Sequence, residues 1–211
     1  MTPREPRGQL CIWTGVDPEH ELDFNRWYDR EHMQERVAIP GFQAARRFRA
    51  VGESSRPYLA LYDTADIGVF TSPAYRQAFS HQTEWSLRNF ARLRNNQRRV
   101  GRLSIEAGAG EGCALALFVV PPGRMTLAAL RAGMTACVAV DHVVRAALLQ
   151  TDVALSTPLT AAAEPAPADG LVMIEATVVE VAQAQAQALA LALDLPAAET
   201  FVFQSLWRLG A

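Results

Sequence analysis

Short apolar runs alternate with amphipathic segments along the first half of the chain. The runs are typical of buried strands, and the amphipathic segments are typical of helices that cover one face of a sheet. The predicted strands are residues 9–16, 42–51, 58–62 and 103–106, and the predicted helices are residues 17–37 and 72–98. This half therefore has the element order β-α-β-β-α-β.

The predicted helices of this half have residues at their ends that are typical of helix starts and stops. Asp17-Pro18 and Ser72-Pro73 each place a capping side chain before a proline, which fits the first position of a helix. Pro40-Gly41 predicts the end of the first helix, because proline cannot continue a helix and glycine accepts the backbone conformation that follows.

The second half repeats this order of elements after a short glycine-rich segment. The predicted strands are residues 113–120, 143–155, 171–179 and 201–209, and the predicted helices are residues 126–139 and 181–193. Element order and spacing, rather than residue identity, indicate an internal repeat.

Two such halves predict two ferredoxin-like units, residues 1–107 and 113–211, joined by a linker at residues 108–112. Each unit forms a four-stranded antiparallel sheet with both helices on one face, which leaves the other face apolar. Successive strand positions are apolar, as expected when both faces are buried. We therefore expect an α+β fold in which the two units pack sheet to sheet as an intrachain α+β barrel.

Composition and charge narrow the functional classes only slightly. The chain has 211 residues, of which 50% are hydrophobic, and this is enough for a sizeable core. The formal net charge of -2 gives no sign of a nucleic-acid partner. The arginine-rich run at residues 88–102 has a single aromatic residue, Phe90, and no recognised nucleic-acid-binding motif, so it predicts a solvated helix face.

The sequence also predicts where the protein is located. No apolar run of signal length follows the N-terminus, and no segment has about 18 uninterrupted apolar residues, so we expect no membrane partner. Cys11, Cys113 and Cys137 are too few for a disulfide framework and have apolar neighbours, which predicts reduced, buried thiols. We expect a cytoplasmic protein.

The first helix changes from aromatic to ionisable residues along one face. Trp27 and Tyr28 are followed by Glu31, His32 and Glu35. A carboxylate beside the imidazole would raise the pKa of His32 and make it a usable acid or base, so these three ionisable residues are the candidate catalytic group. The alternative is a structural histidine that caps the helix end. The two aromatic residues are candidate substrate-binding residues, with a place in the core as the alternative.

Arg46 and Arg47 are further candidate substrate-binding residues. They are neighbours on the second predicted strand, so their side chains must point to opposite faces. The one that points inward needs an anion, which would be Glu31, Glu35 or a substrate carboxylate. A plain ion pair is the alternative.

The sequence shows no pattern for a metal ion or a nucleotide cofactor. The four histidines have no ligand spacing with cysteines or carboxylates, and there is no glycine-rich phosphate loop or serine nucleophile elbow. We therefore expect neither a metal nor a cofactor.

One motif resembles a known family. It consists of Phe24, Trp27, Tyr28, Glu31, His32, Glu35, Arg36, Pro40, Gly41 and Phe42, with a later Ser72, Pro73 and Tyr75. This pattern resembles the EthD-like branch of the dimeric α+β barrel superfamily, although Gln34 stands where related proteins usually have proline. The resemblance covers roughly the first 100 residues.

The resemblance implies a fold more than a reaction. Most similar proteins are single units that dimerise, so a tandem chain would carry its own partner unit, and a homo-oligomer remains compatible with the resemblance. Members of the superfamily include cofactor-free monooxygenases, isomerases and decarboxylases. Haem-binding members use a histidine on a helix of the C-terminal unit, and neither predicted helix of the second half contains one.

Two hypotheses for the function follow. The first is a cofactor-independent protein that binds a small hydrophobic or aromatic ligand between the first helix and the sheet, and as an enzyme would perform acid/base chemistry through His32. The second is a non-catalytic binding or assembly protein with a filled barrel, which the alanine-rich second half favours.

Overall fold

The computed structural model describes residues 5–124, 126–157, 165–195 and 200–211. The strands in these ranges are β1 Gly8–Val16, β2 Phe42–Ala50, β3 Tyr58–Thr64, β4 Leu93–Gly108, β5 Ala114–Val120, β6 Val143–Thr151, β7 Gly170–Ala176 and β8 Phe201–Gly210. The α-helices are α1 Glu21–Trp27, α2 Met33–Val37, α3 Pro73–Ser80, α4 Glu84–Ala91, α5 Leu127–Cys137, α6 Val153–Ser156 and α7 Val179–Ala192. Two 3-10 turns, Pro18–His20 and Ile67–Thr71, and one π turn, Tyr28–His32, complete the helical segments.

The strands and helices form a mixed α+β fold with an eight-stranded antiparallel barrel sheet, so the predicted fold class is confirmed. The chain divides into two compact units. Unit 1 contains the described residues up to Val100 together with Leu206–Ala211, and unit 2 contains Gly101–Ser205. Strands β4 and β8 therefore each contribute residues to both units.

Unit 1 is built on the antiparallel strand order β1-β3-β2. Every residue of β3 is buried, which agrees with the continuous apolar run in its sequence. In the register of β2 and β3, Arg46 lies opposite Leu61 and Arg47 lies opposite Ala60. The two arginine side chains therefore point to opposite faces of the sheet, as predicted.

The second helical segment of unit 1 is shorter than predicted. Ser72 and Thr83 cap α3 and α4, because their hydroxyls accept the backbone N–H groups of Tyr75 and Ser86. The chain then enters β4 at Leu93, so the prediction that helix continues to residue 98 is wrong. The start of β4 is polar and partly exposed, and its arginines lack the apolar alternation by which a strand is recognised in a sequence.

Unit 2 contains the antiparallel strands β6-β7-β5, to which the first residues of β8 add. Buried aliphatic side chains of α5 and α7 pack against the strands, among them Leu130, Met134, Ala182, Ala186 and Leu189. A Cβ atom added to Gly133 would lie 2.3 Å from Leu189 Cδ1, which shows how closely the two helices approach. Small residues therefore allow the close helix packing in this unit.

Two smaller predictions for unit 2 need correction. The predicted strand 143–155 ends at Thr151, because Asp152 accepts the Leu155 N–H at 3.0 Å and starts the short helix α6. The cysteines are free, but Cys113 is exposed, whereas Cys11 and Cys137 are buried as predicted. Within the described residues, no helix is long and apolar enough to cross a membrane.

Gly41 should be more sensitive to substitution than a comparable glycine. Its φ is +96°, and an added Cβ would lie 2.5 Å from Val69 Cγ2, whereas Gly52 has φ +85° and open space around it. We expect Gly52→Ala to cost about 1 kcal/mol from the left-handed backbone alone, and Gly41→Ala to cost about 1–2 kcal/mol more because of the clash. Urea unfolding would measure both; equal losses would show that the contact with Val69 relaxes freely.

Candidate functional site

The helix that begins at Glu21 contains a π turn at Tyr28–His32, where the Met33 N–H donates to the Tyr28 carbonyl. In a regular α-helix, residues five apart differ by about 140° in direction. The wider π turn instead brings the rings of Trp27 and His32 onto one side, with centroids 4.2 Å apart. The π turn therefore decides which residues of the predicted site share a face.

His32 lies within a cluster of aromatic rings. Its ring centroid is 5.2 Å from that of Tyr28 and 5.6 Å from that of Phe90, and the residue is 6% exposed. Its Nδ1 atom has no hydrogen-bond partner in the described part of the chain. Burial, together with the positive charges of Arg36 and Arg47, lowers the pKa of His32 well below 6.5. The expectation that a carboxylate would raise this pKa is wrong.

The two candidate carboxylates have different surroundings from this imidazole. Glu31 accepts a hydrogen bond from Thr83 Oγ1 at 2.6 Å and so connects the helix to the start of α4. Glu35 is half-buried, and burial and the neighbouring charge of Glu31 raise its pKa. Within the described residues, neither carboxylate forms a hydrogen bond with His32. Among the described residues, hydrogen bonds therefore do not connect the three members of the predicted catalytic group.

Trp27 and Tyr28 occupy the core of unit 1. Trp27 is 1% exposed, and its indole N–H donates to Ser86 Oγ at 3.0 Å. Tyr28 is also buried, and its ring packs edge-on against Phe24 with the centroids 4.9 Å apart. These contacts agree with the core alternative stated for both residues.

Arg47 is a buried cation that connects the helix to the sheet. It is 2% exposed, and its guanidinium carbon lies 4.1 Å from the centre of the Tyr28 ring. Its Nη atoms donate to Asp29 Oδ1 at 3.0 Å and to Asn25 Oδ1 at 2.9 Å. The anion that Arg47 requires is therefore Asp29, and the expectation of Glu31 or Glu35 in that place is wrong.

Arg46 lies on the opposite face of the same strand. It is 3% exposed, and its guanidinium carbon lies 5.5 Å from the centre of the Phe48 ring. Of the pair of arginines, Arg47 lines the cavity described below.

This cavity has a volume of about 230 Å³ and lies within unit 1. Its lining residues are Asn25, Asp29, Arg47, Arg49, Tyr58, Leu206 and Trp207. The guanidinium, amide, carboxylate and phenol groups can each donate or accept hydrogen bonds, and the tryptophan and leucine add apolar surface. The cavity can therefore hold a small molecule that is both flat and polar at its edge.

Hydrogen bonds hold the lining side chains in place. Trp207 Nε1 donates to Asp29 Oδ1 at 2.8 Å, so one carboxylate oxygen accepts from both Trp207 and Arg47. On the other side, the Tyr58 hydroxyl donates to Glu21 Oε1 at 2.6 Å, and Arg49 Nη2 donates to the same oxygen at 3.0 Å. The wall of the cavity is therefore preorganised before any ligand binds.

Sequence reasoning identified Arg47 but missed the other lining residues. Asn25 and Asp29 lie one turn apart on the same helix as the predicted site, so their spacing was a usable signal. The sequence places Tyr58 only in a predicted buried strand. Trp207 lies 178 residues from Asp29 along the chain, and nothing local connects the two.

The histidines and cysteines of the described residues do not lie together as a set of metal ligands. Helices α5 and α7 contain no histidine, and the one cysteine on them, Cys137, is buried in the aliphatic core of unit 2. His142 precedes β6, and its Nδ1 lies 3.1 Å from Thr177 Oγ1. No group of three or more metal-ligating side chains occurs in the ranges that the structure covers.

The fold and the cavity define a class of protein, an α+β barrel with a ligand-sized pocket, and solved structures share this fold. An anthrone oxidase-like protein is 12% identical and has a TM-score of 0.67; the match covers 99% of this chain and 94% of that one. A proposed monooxygenase from Lactobacillus acidophilus NCFM is 10% identical with a TM-score of 0.57, over 97% of this chain and 94% of that one.

A third similar structure is chlorite dismutase from Candidatus Nitrospira defluvii in complex with imidazole. It is 10% identical with a TM-score of 0.51, and the match covers 94% of this chain and 90% of that one. At identities of 12% or lower, these likenesses show a shared fold. No family model matches the sequence, and no curated protein matches it.

The buried His32 should make the folded protein less stable in mild acid. The unfolded state takes up a proton near pH 6.5 while the folded state does not, so the free energy of unfolding should fall below that pH by up to about 1.4 kcal/mol per pH unit. Urea unfolding between pH 7.5 and pH 5 would measure this slope. His32→Gln should flatten it, and His81→Gln, at an exposed position, should not. An unchanged slope in His32→Gln would contradict the conclusion that His32 causes the loss of stability in mild acid.

Proposed function

We propose that the cavity beside Arg47 binds a small aromatic compound that carries a hydroxyl or carbonyl group. The observation that supports this most directly is the buried guanidinium of Arg47, which is stacked on Tyr28 and fixed by Asp29 and Asn25 in the cavity wall. A preorganised donor of this kind favours an oxygen acceptor in a fixed position.

The size of the cavity limits the ligand. An apolar cavity of about 150 Å³ accommodates benzene, and sites for drug-sized molecules begin at about 300 Å³. The cavity of about 230 Å³ therefore suits a molecule of one or two rings. The indole of Trp207 and the phenol of Tyr58 supply flat surfaces against which such a ring can stack.

Charge further narrows the class of ligand. The two guanidinium groups of the cavity are already paired, Arg47 with Asp29 and Arg49 with Glu21. A ligand therefore meets no large excess of positive charge and is selected by hydrogen bonds rather than by net charge. A phenol, quinone or aromatic ketone meets this condition better than a polyanion.

The names of similar structures support the same class of ligand. An anthrone oxidase-like protein and a proposed monooxygenase share the fold, and both names refer to small-molecule chemistry. They are consistent with a small-molecule-binding α+β barrel, and dimeric barrels of this type are compatible with a homo-oligomer. We place the protein with the EthD-like branch on the motif around His32.

A cofactor-independent enzyme is the second candidate function, with monooxygenase, isomerase or decarboxylase chemistry on such a compound. The observation in its favour is His32: its lowered pKa keeps the imidazole neutral, and its Nδ1 has no partner within the described residues. A neutral imidazole can accept a proton. The Tyr28 ring contacts both His32 and Arg47, and so connects the proton acceptor to the cavity wall.

Trp207 provides the test of ligand binding. We expect 1-naphthol to bind more tightly than naphthalene, and Trp207→Leu to weaken 1-naphthol binding by roughly threefold to tenfold, because a stacking surface and the indole bond to Asp29 are lost together. Isothermal titration calorimetry would measure both affinities.

Trp85→Leu is the matched control for this test. Trp85 Nε1 also donates to an aspartate of the first helix, Asp23 Oδ1 at 3.1 Å, but Trp85 does not line the cavity. The control should bind 1-naphthol as the unmodified protein does. Equal weakening in both variants, or no binding by the unmodified protein, would favour the assembly protein with a filled interior.

A further inference from the structure

Arg36 is a buried cation without a carboxylate partner in the described part of the chain. It is 5% exposed, and its Nη2 donates to the amide oxygen Gln82 Oε1 at 3.1 Å. Its Nε has no hydrogen-bond partner among these residues. An amide oxygen carries no net charge, and a buried ion without a counter-charge costs several kcal/mol. Arg36 therefore requires a negative charge that the described side chains do not supply.

Two more buried polar groups interact electrostatically with Arg36. His32 precedes it by one helical turn, and Tyr62 lies on β3. His32 Nδ1 is buried and has no hydrogen bond within the described ranges. The buried Tyr62 hydroxyl interacts with the Tyr28 hydroxyl. The two rings meet edge to face, with their centroids 6.3 Å apart. Each group can donate a hydrogen bond, and the imidazole of His32 and the Nε of Arg36 have no acceptor among the described residues.

Electrostatics show that these groups share one environment. The charge of Arg36 contributes to the lowered pKa of His32, and it also acts on Tyr62, whose pKa burial raises well above 10.0. A negative charge in this region would interact favourably with Arg36 and with both neutral donors.

The nearest charged side chains do not fill this role. Glu31 accepts a hydrogen bond from Thr83, and Glu35, beside Arg36 in sequence, forms no ion pair with it in the described structure. Arg47 is already neutralised by Asp29. The charge of Arg36 acts on Glu35, but within the described residues no carboxylate forms an ion pair with Arg36.

We propose that Arg36, His32 and Tyr62 form a buried site for a small monovalent anion of the size of chloride or formate. One negative charge matches the single guanidinium, and aromatic rings surround His32 on this side of the helix. The site differs from the cavity beside Arg47, because none of its three residues lines that cavity. The proposal therefore does not depend on the aromatic ligand.

The first test measures anion-dependent stability. Thermal unfolding is followed while chloride, bromide or formate replaces gluconate at constant ionic strength. We expect a saturable rise of the unfolding temperature, because the anion binds the folded state only. Arg36→Met should weaken the apparent affinity by about tenfold or more, the loss expected for hydrogen bonds to a charged group.

Arg30→Met is the matched control, since Arg30 is an exposed arginine of the same helix. It removes the same charge and should leave the anion dependence unchanged. Stabilisation by chloride and bromide would identify a free halide as the occupant, and stabilisation by formate alone would identify a carboxylate group. An equal anion dependence in Arg36→Met and in the unmodified protein would overturn the proposal.

A crystallographic experiment remains decisive even if Arg36→Met does not fold. Crystals of the unmodified protein soaked in bromide should show an anomalous peak within hydrogen-bonding distance of the Arg36 guanidinium, and formate should displace it. Bromide at surface positions only, with the buried site containing neutral solvent, would contradict the anion site.

Discussion

The burial of the Arg47 guanidinium is the constraint on which the organisation of unit 1 depends. A guanidinium at 2% exposure is stable only if its charge and its donors are all used. Asp29 and Asn25 supply the polar partners from the helix, and the Tyr28 ring lies against the guanidinium plane at 4.1 Å. Because Arg47 belongs to β2, these contacts fix the distance between the helix and the sheet. The cavity lies next to them, since Arg47, Asp29 and Asn25 also line it.

This part of unit 1 contains two buried cations, and they differ in whether a carboxylate balances their charge. Arg47 has a carboxylate, whereas Arg36 has an amide oxygen. His32 is buried and also lies in the field of both cations, and this explains why its pKa falls even though acidic residues lie near it in sequence. Any proton transfer through His32 therefore starts from the neutral imidazole, and the charged form becomes accessible only when an anion lies near it.

The sequence was sufficient for the features that depend on local periodicity. Strand β3 and the caps Ser72 and Thr83 follow from apolar runs and from side chains that accept backbone N–H groups. The π turn at Tyr28–His32 could not be predicted, because no local pattern distinguishes it from a regular helix and its stability comes from tertiary packing. The contact between Asp29 and Trp207 depends on the folded sheet, since 178 residues separate them.

The motif around His32 is better explained by helix packing than by chemistry. Trp27 donates to Ser86, and Glu31 accepts from Thr83, so two of its residues attach the first helix to α4. A shared motif of this kind indicates a shared arrangement of helices, and it says little about a reaction. The residues that face the cavity, Asn25 and Asp29, lie between the motif positions. Differences at such intervening positions can therefore change the ligand while the motif and the fold remain the same.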